Sequence, residues 1–112
     1  MAAYAILEVD IHDIAEYLVH QRRLAPLLAA AGARYLARGG RFRDYQEEGE
    51  PGRLMLIEFP SLEVLDSFYT SQAYRALCTQ RDSCSRSRIL AVEGLADMRQ
   101  SATVSQVRGR QY

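Results

Sequence analysis

Lysine is missing from this chain: all fourteen basic side chains among its 112 residues are arginine. They balance fourteen acidic residues to a formal net charge of zero. No charge excess therefore argues for a nucleic-acid partner or an anionic membrane surface. An arginine-only composition is what a GC-rich genome writes, and it also suits bidentate pairing with carboxylates. Composition alone does not choose between the two. Long hydrophobic runs are missing too. No stretch approaches the roughly 20 apolar residues of a membrane helix. The opening "MAAYAILEVDIHD" turns acidic early and has no basic start, unlike a secretory signal. The expectation is a soluble cytoplasmic protein without a membrane or nucleic-acid partner.

Cysteine is scarce. Cys78 and Cys84 lie six apart in one helical segment, a spacing of neither a metal clip nor a redox pair. They read as small core or edge residues. A Gly-rich phosphate loop, HExxH and GxSxG are all absent. No cofactor and no metal are expected.

What is present is a regular alternation of strands and helices. "YAILEVDI" (Tyr4 to Ile11) has the length and apolar content of a strand. "DIAE" reads as a capping box, with Asp13 as cap and Glu16 three residues on. Ile14, Tyr17, Leu18, Leu24 and Leu28 follow at helical spacing up to a stop at Gly32. Pro26 inside that helix predicts a kink or a local break. "ARYLAR" is the second strand, interrupted by Gly39-Gly40, which suggest a bulge or a close backbone approach. "RFRDYQ" reads as its continuation, "EEGEPG" as a hairpin tip, and "RLMLIEFP" as the third strand, ended by Pro60. Ser61 caps the next helix, and Ser71 is placed to break it and cap a second piece. "RILAVEGL" (Arg88 to Leu95) is the fourth strand.

The order is β-α-β-β-α-β, an α+β ferredoxin-like split unit with a four-stranded antiparallel sheet. Residues 1–95 form the single domain, and 96–112, polar and Arg-bearing, read as a C-terminal tail. Two helices cover only one face of such a sheet, so a lone domain should show strands with one polar face. These strands are apolar on both. Met55, Ile57 and Phe59 oppose Leu54 and Leu56; Ile6 opposes Leu7 and Val9; Ile89 and Ala91 oppose Leu90 and Val92. A second copy of the sheet is the simplest cover, giving a homodimer that buries on the order of 1,600 Å² or more.

"ARYLARGG", "RLMLIEFPSLEVLDSFYTSQAYRAL" and "SRILAVEG" together resemble the family called domain of unknown function 1330, of the dimeric α/β-barrel superfamily. The resemblance runs from about Ala3 to Leu95. It implies the ferredoxin-like fold and the sheet-to-sheet dimer. Superfamily relatives include cofactor-free monooxygenases, lactone isomerases, polyketide cyclases and haem enzymes, and fold does not choose among these. The chain departs from the family pattern in a hairpin without tryptophan, in "GARY" for a double glycine, and in its long tail.

The catalytic candidates are His12, Arg38 and Glu58. Glu58 interrupts an apolar central strand, as Glu8 does, and such a carboxylate must be paired, hydrogen-bonded or protonated. Arg38, on the adjoining strand, is the expected partner of Glu58. The couple reads either as an ion pair that fixes strand register or as a cation presented to an anionic ligand. His12 stands at the entrance to the first helix, where the superfamily's cavity between sheet and helices opens. It is a candidate acid-base group or a solvated loop side chain. His20, beside Gln21, Arg22 and Arg23, reads as a surface residue. Tyr35, Tyr69, Tyr74 and Arg81 are the candidate ligand-binding residues, although an aromatic stripe at helical spacing also serves a core. Three functions follow: a cofactor-independent enzyme (monooxygenase, isomerase or cyclase type) on a small aromatic or polyketide-like compound, a non-catalytic ligand-binding or stress-associated dimer, or a purely structural dimer.

Overall fold

A computed structural model describes residues 1–46 and 52–95. Residues 47–51 of the expected hairpin tip and the expected C-terminal tail, 96–112, lie outside the described residues. The elements are β1 (Ala3–Ile11), α1 (Ile14–Ala30), β2 (Arg34–Arg38), β3 (Arg53–Phe59), α2 (Leu62–Tyr69), α3 (Gln72–Cys84) and β4 (Ser85–Glu93). The four strands form one sheet in the order β2-β3-β1-β4, antiparallel at every step. β1 and β3 are the central neighbours, as the split-unit order requires.

The caps form as the sequence implies. The Asp13 carboxylate accepts from the Glu16 N–H at 3.2 Å, and Ser61 Oγ accepts from the Val64 N–H at 3.1 Å. Ser71 does split the second helical region: its Oγ accepts the Tyr74 N–H at 3.1 Å and donates to the Phe68 carbonyl at 2.7 Å. The end of α1 is a Schellman motif. The Ala33 N–H reaches back to the Leu28 carbonyl and the Gly32 N–H to Ala29. Gly32 sits at φ +74, and a Cβ there would meet Pro60 Cγ at 3.2 Å. Only glycine fits both demands.

Three local expectations fail for identifiable reasons. Pro26 does not break α1, which runs unbroken from Ile14 to Ala30. The carbonyl that loses its partner is that of Arg22, and both residues are exposed, so the carbonyl is accessible to water. Arg41 to Gln46 do not continue β2. Gly39, at φ +71, turns the chain off the sheet directly after Arg38, so the alternation in "RFRDYQ" has no strand to pair with. The bulge does not fall at Gly39-Gly40 either. Tyr35 pairs Ile57 and Ala37 pairs Leu56, so the irregularity lies between Tyr35 and Ala37, and Leu36 is the extra residue.

The core lies between the sheet and the helices. From β1 it takes Ala3, Ala5, Leu7 and Val9, and from β3 Met55, Ile57 and Phe59. The helices add Tyr17, Leu24 and Leu28, then Leu65 and Phe68, then Tyr74, Leu77 and Cys84. Side chains alternate along each strand, so the other face is left open. There Ile6, Leu36, Leu54, Leu90 and Val92 are between 39% and 51% exposed. This apolar field ends in charges: Glu8 lies opposite Arg88, and Asp10 opposite Arg86, across the β1–β4 pair.

Candidate functional site

The bulge at Leu36 determines where Arg38 points. Strict alternation from Tyr35 would put residue 38 on the open face of the sheet. The extra residue resets the alternation, and Arg38 comes to lie opposite Met55, whose buried side chain faces the helices. Arg38 thus shares the helix side with Tyr35 and lies over its ring, with the guanidinium carbon 4.3 Å from the ring centroid. It also lines a cleft of ≈ 160 Å³ between the start of α1 and the sheet edge, together with Ile11, Ile14, Tyr17, Leu18 and Met55. A second hollow of ≈ 370 Å³ shares Ile11, Ile14 and Arg53 with it and extends to Val9 and Phe42.

Behind the cleft is a layer of phenols. Tyr69 and Tyr74 meet edge to face at 4.9 Å between centroids, and Phe68 packs on both. Arg81 donates a hydrogen bond to the Tyr74 hydroxyl and pairs with Asp82 at 3.0 Å. Burial pushes the Tyr17 hydroxyl up to about 12, helped by the neighbouring Tyr35, Cys84 and Tyr74 and opposed by Arg81. Burial raises Tyr69 as well, with Tyr74 and Tyr35 adding to it. Tyr35 and Tyr74 are raised by burial too, and the guanidinium beside each, Arg38 and Arg81, pulls back. All four phenols are therefore neutral hydrogen-bonding groups at physiological pH. Tyr35, Tyr69, Tyr74 and Arg81 do come together. The sequence reading missed Tyr17, which links this layer to the cleft; its position in the buried row Tyr17, His20, Leu24, Leu28 was the available signal.

The three proposed catalytic residues do not converge. Glu58 is on the open face of β3, and its partner is Arg34, not Arg38: Arg34 Nε lies 2.7 Å from Glu58 Oε1. The register explains the error, since Arg34 lies opposite Glu58 and Arg38 opposite Met55. Arg38 and Glu58 thus occupy opposite faces, three residues apart along β3. His12 is exposed, and its backbone N–H donates to the Cys84 carbonyl at 2.8 Å. His20 is not a surface residue: it is 2% exposed, its Nδ1 has no hydrogen-bond partner, and its ring lies 5.5 Å from Tyr17. Burial, followed by the nearby Arg81 and Arg23 cations, lowers its pKa, with Asp82 opposing. Among the described residues no three His, Cys, Asp or Glu side chains are grouped to hold a metal ion, and no helix is long and apolar enough to cross a membrane.

Solved structures share this architecture at low sequence identity. A protein of unknown function from Rhodopseudomonas palustris superposes with a TM-score of 0.67 at 15% identity, covering 86% of this chain and 84% of that one. A dimeric ferredoxin-like protein of unknown function from Jannaschia sp. gives 0.62 at 12% identity, over 84% and 100% of the two chains. SnoaB, a cofactor-independent oxygenase from Streptomyces nogalater, gives 0.59 at 11% identity, over 87% and 96%. No curated protein matches the chain. Sheet order, one-sided helices and these likenesses define a ferredoxin-like α+β protein. Within that class the chain belongs to the family described as Domain of unknown function (DUF1330), which it matches over residues 2–95.

Proposed function

We propose that this protein is a homodimer that binds a small organic anion in the cleft beside α1, and that it acts as a cofactor-independent enzyme of the monooxygenase, isomerase or cyclase type on an aromatic or polyketide-like compound. The observation that carries the reading is the bulge at Leu36, which re-aims Arg38 from the open face to a cleft backed by phenols. A guanidinium held over Tyr35 is pre-oriented to stabilise the negative charge of an enolate or carboxylate. Tyr17, which also lines the cleft, stays protonated, and its hydroxyl is proposed to donate to the same oxygen. His12 does not line the cleft but is exposed next to the cleft-lining Ile11, and it is the group proposed to move a proton to or from a ligand that projects from the cleft. Glu58, held by Arg34 on the other face, takes a structural role. The likeness to a cofactor-independent oxygenase is in keeping with this chemistry. The dimer reading is supported by the exposed apolar field on the open sheet face and by the dimeric neighbour.

A second reading is a ligand-binding dimer without chemistry. It is favoured by the cleft itself, where the ionisable groups are arginines and a proton-tight phenol rather than a carboxylate. Incubation with a panel of aromatic enols under air separates the two. A ligand recovered with a changed mass, or with the same mass and a changed NMR spectrum, marks an enzyme, and a ligand recovered unaltered marks a binder. Arg38→Met abolishes binding in either case, and unchanged affinity in the folded variant overturns the site. Light scattering at micromolar concentration should give about twice the 12.7 kDa chain mass, and a clean monomer sinks the dimer.

A further inference from the structure

We infer that Arg53 joins Arg38 in a two-arginine clamp for the carboxylate of an aromatic or medium-chain organic acid; the inference rests on the cleft being the ligand site. Arg53 begins the β3 row that continues through the buried Met55, Ile57 and Phe59, so it shares their helix-side face. Arg38 lies opposite Met55 on the neighbouring strand. The two arginines are therefore diagonal neighbours on one face, a relation that ordinarily spaces residues by about 7–8 Å, within joint reach of one small anion. Arg53 reaches the backbone next to Arg38. Arg53 Nη1 lies 3.8 Å from where a Cβ on Gly39 would stand, immediately after Arg38.

Both arginines line the ≈ 160 Å³ cleft, and no acidic side chain lines it with them. Among the described residues neither arginine forms an ion pair. Two like charges on one sheet face repel, and a shared anion reverses the sign of that interaction. Ile11, Ile14, Leu18 and Met55 give the wall its apolar part, and Tyr17 and Gln21 its uncharged polar part, so it suits a largely apolar body better than a second charge. The adjoining open hollow of ≈ 370 Å³, reached past Arg53 and lined by Val9, Asp10, Phe42 and Gly52, gives that body its direction, with Asp10 disfavouring a second anionic group there. A planar carboxylate matches the guanidinium fork, and the neutral Tyr17 hydroxyl can donate to it as well.

The test is calorimetric titration with benzoate, naphthoate and octanoate against their primary amides at low salt. It uses the full chain, Arg53→Met, Arg53→Gln, Arg38→Met and the exposed control Arg22→Met. Circular dichroism confirms folding, and two replacements at Arg53 guard against one that fails to fold. The acids should bind and the amides should not. Affinity should fall with added salt, and it should drop about tenfold or more in either Arg53 variant, the loss expected of a charged hydrogen bond. Arg22→Met should bind as the unaltered chain does. Amides that bind as well as acids, or a folded Arg53 variant of unchanged affinity, overturn the clamp while leaving the cleft as a ligand site. An aryl phosphate that binds more tightly than its carboxylate counterpart overturns the carboxylate assignment. Failure of every acid and amide overturns both the clamp and the cleft.

Discussion

His20 offers the sharpest check on the packing of α1 against α3. Its ring is 2% exposed, with Nδ1 unpartnered, and the cations of Arg81 and Arg23 oppose its protonation more than Asp82 assists it. The folded protein therefore holds this imidazole neutral below the ordinary histidine value of 6.5. The unfolded chain binds the proton first as pH falls. Stability is then full above pH 6.5 and declines below it, at up to about 1.4 kcal/mol per pH unit for one proton, until the folded protein titrates too. His20→Phe keeps an aromatic ring against Tyr17 and removes the titration. At neutral pH two effects nearly cancel: relief of an orphaned buried nitrogen, about 1–3 kcal/mol, and overpacking by the larger ring, of similar size. The informative quantity is therefore the slope. Urea unfolding followed by circular dichroism, at fixed protein concentration from pH 7.5 down to about 5, stays above most carboxylate titration. The unaltered chain should weaken across that range, while His20→Phe should stay nearly level. A His12→Gln control removes the other imidazole and should keep the slope. Parallel slopes for the unaltered chain and His20→Phe would refute the argument.

A double-mutant cycle on Arg34→Met and Glu58→Gln should give a coupling of about 0.2–1 kcal/mol where the pair stays as exposed as in the single chain, with the Arg34 side chain 71% exposed, and a coupling well above that marks burial of this open-face pair by the second copy. Arg38→Met and Glu58→Gln should be additive within about 0.5 kcal/mol, and strong coupling there would contradict the register. Gly32→Ala forces an L residue to φ +74 and crowds Pro60, so it should cost about 1–2 kcal/mol and lower the thermal midpoint, whereas an unchanged midpoint would deny that the Schellman turn is needed.

The fold was legible because several signals agreed. Asp13, Ser61 and Ser71 announced their helices by side-chain chemistry that acts locally, and the two-faced strands announced an open apolar face. The site was less legible because register is not a local property. Arg34 and Arg38 are both arginines of one short strand, and only the pairing with β3 assigns Glu58 to the first. The bulge at Leu36 leaves no mark in "RYLAR", whereas Gly39-Gly40 drew attention to the wrong place. "RFRDYQ" alternates convincingly, but alternation describes a strand only where a partner is present. His20 was misread from its polar neighbours in the chain, although its three- and four-residue spacing from Tyr17 and Leu24 already placed it on the buried row.

The extra residue in β2 also affects how this chain is compared with its relatives. Position along an edge strand is ordinarily counted from its first residue, but here the count shifts by one after Tyr35. A relative without the insertion, aligned to this chain from Arg34 onward, has its helix-facing residue matched to Ala37 and its outward residue matched to Arg38. Counting backward from the glycine that leaves the sheet restores the correspondence. For this fold, the gap placed at Leu36 decides whether an arginine is compared with another cleft residue or with one on the far side of the sheet.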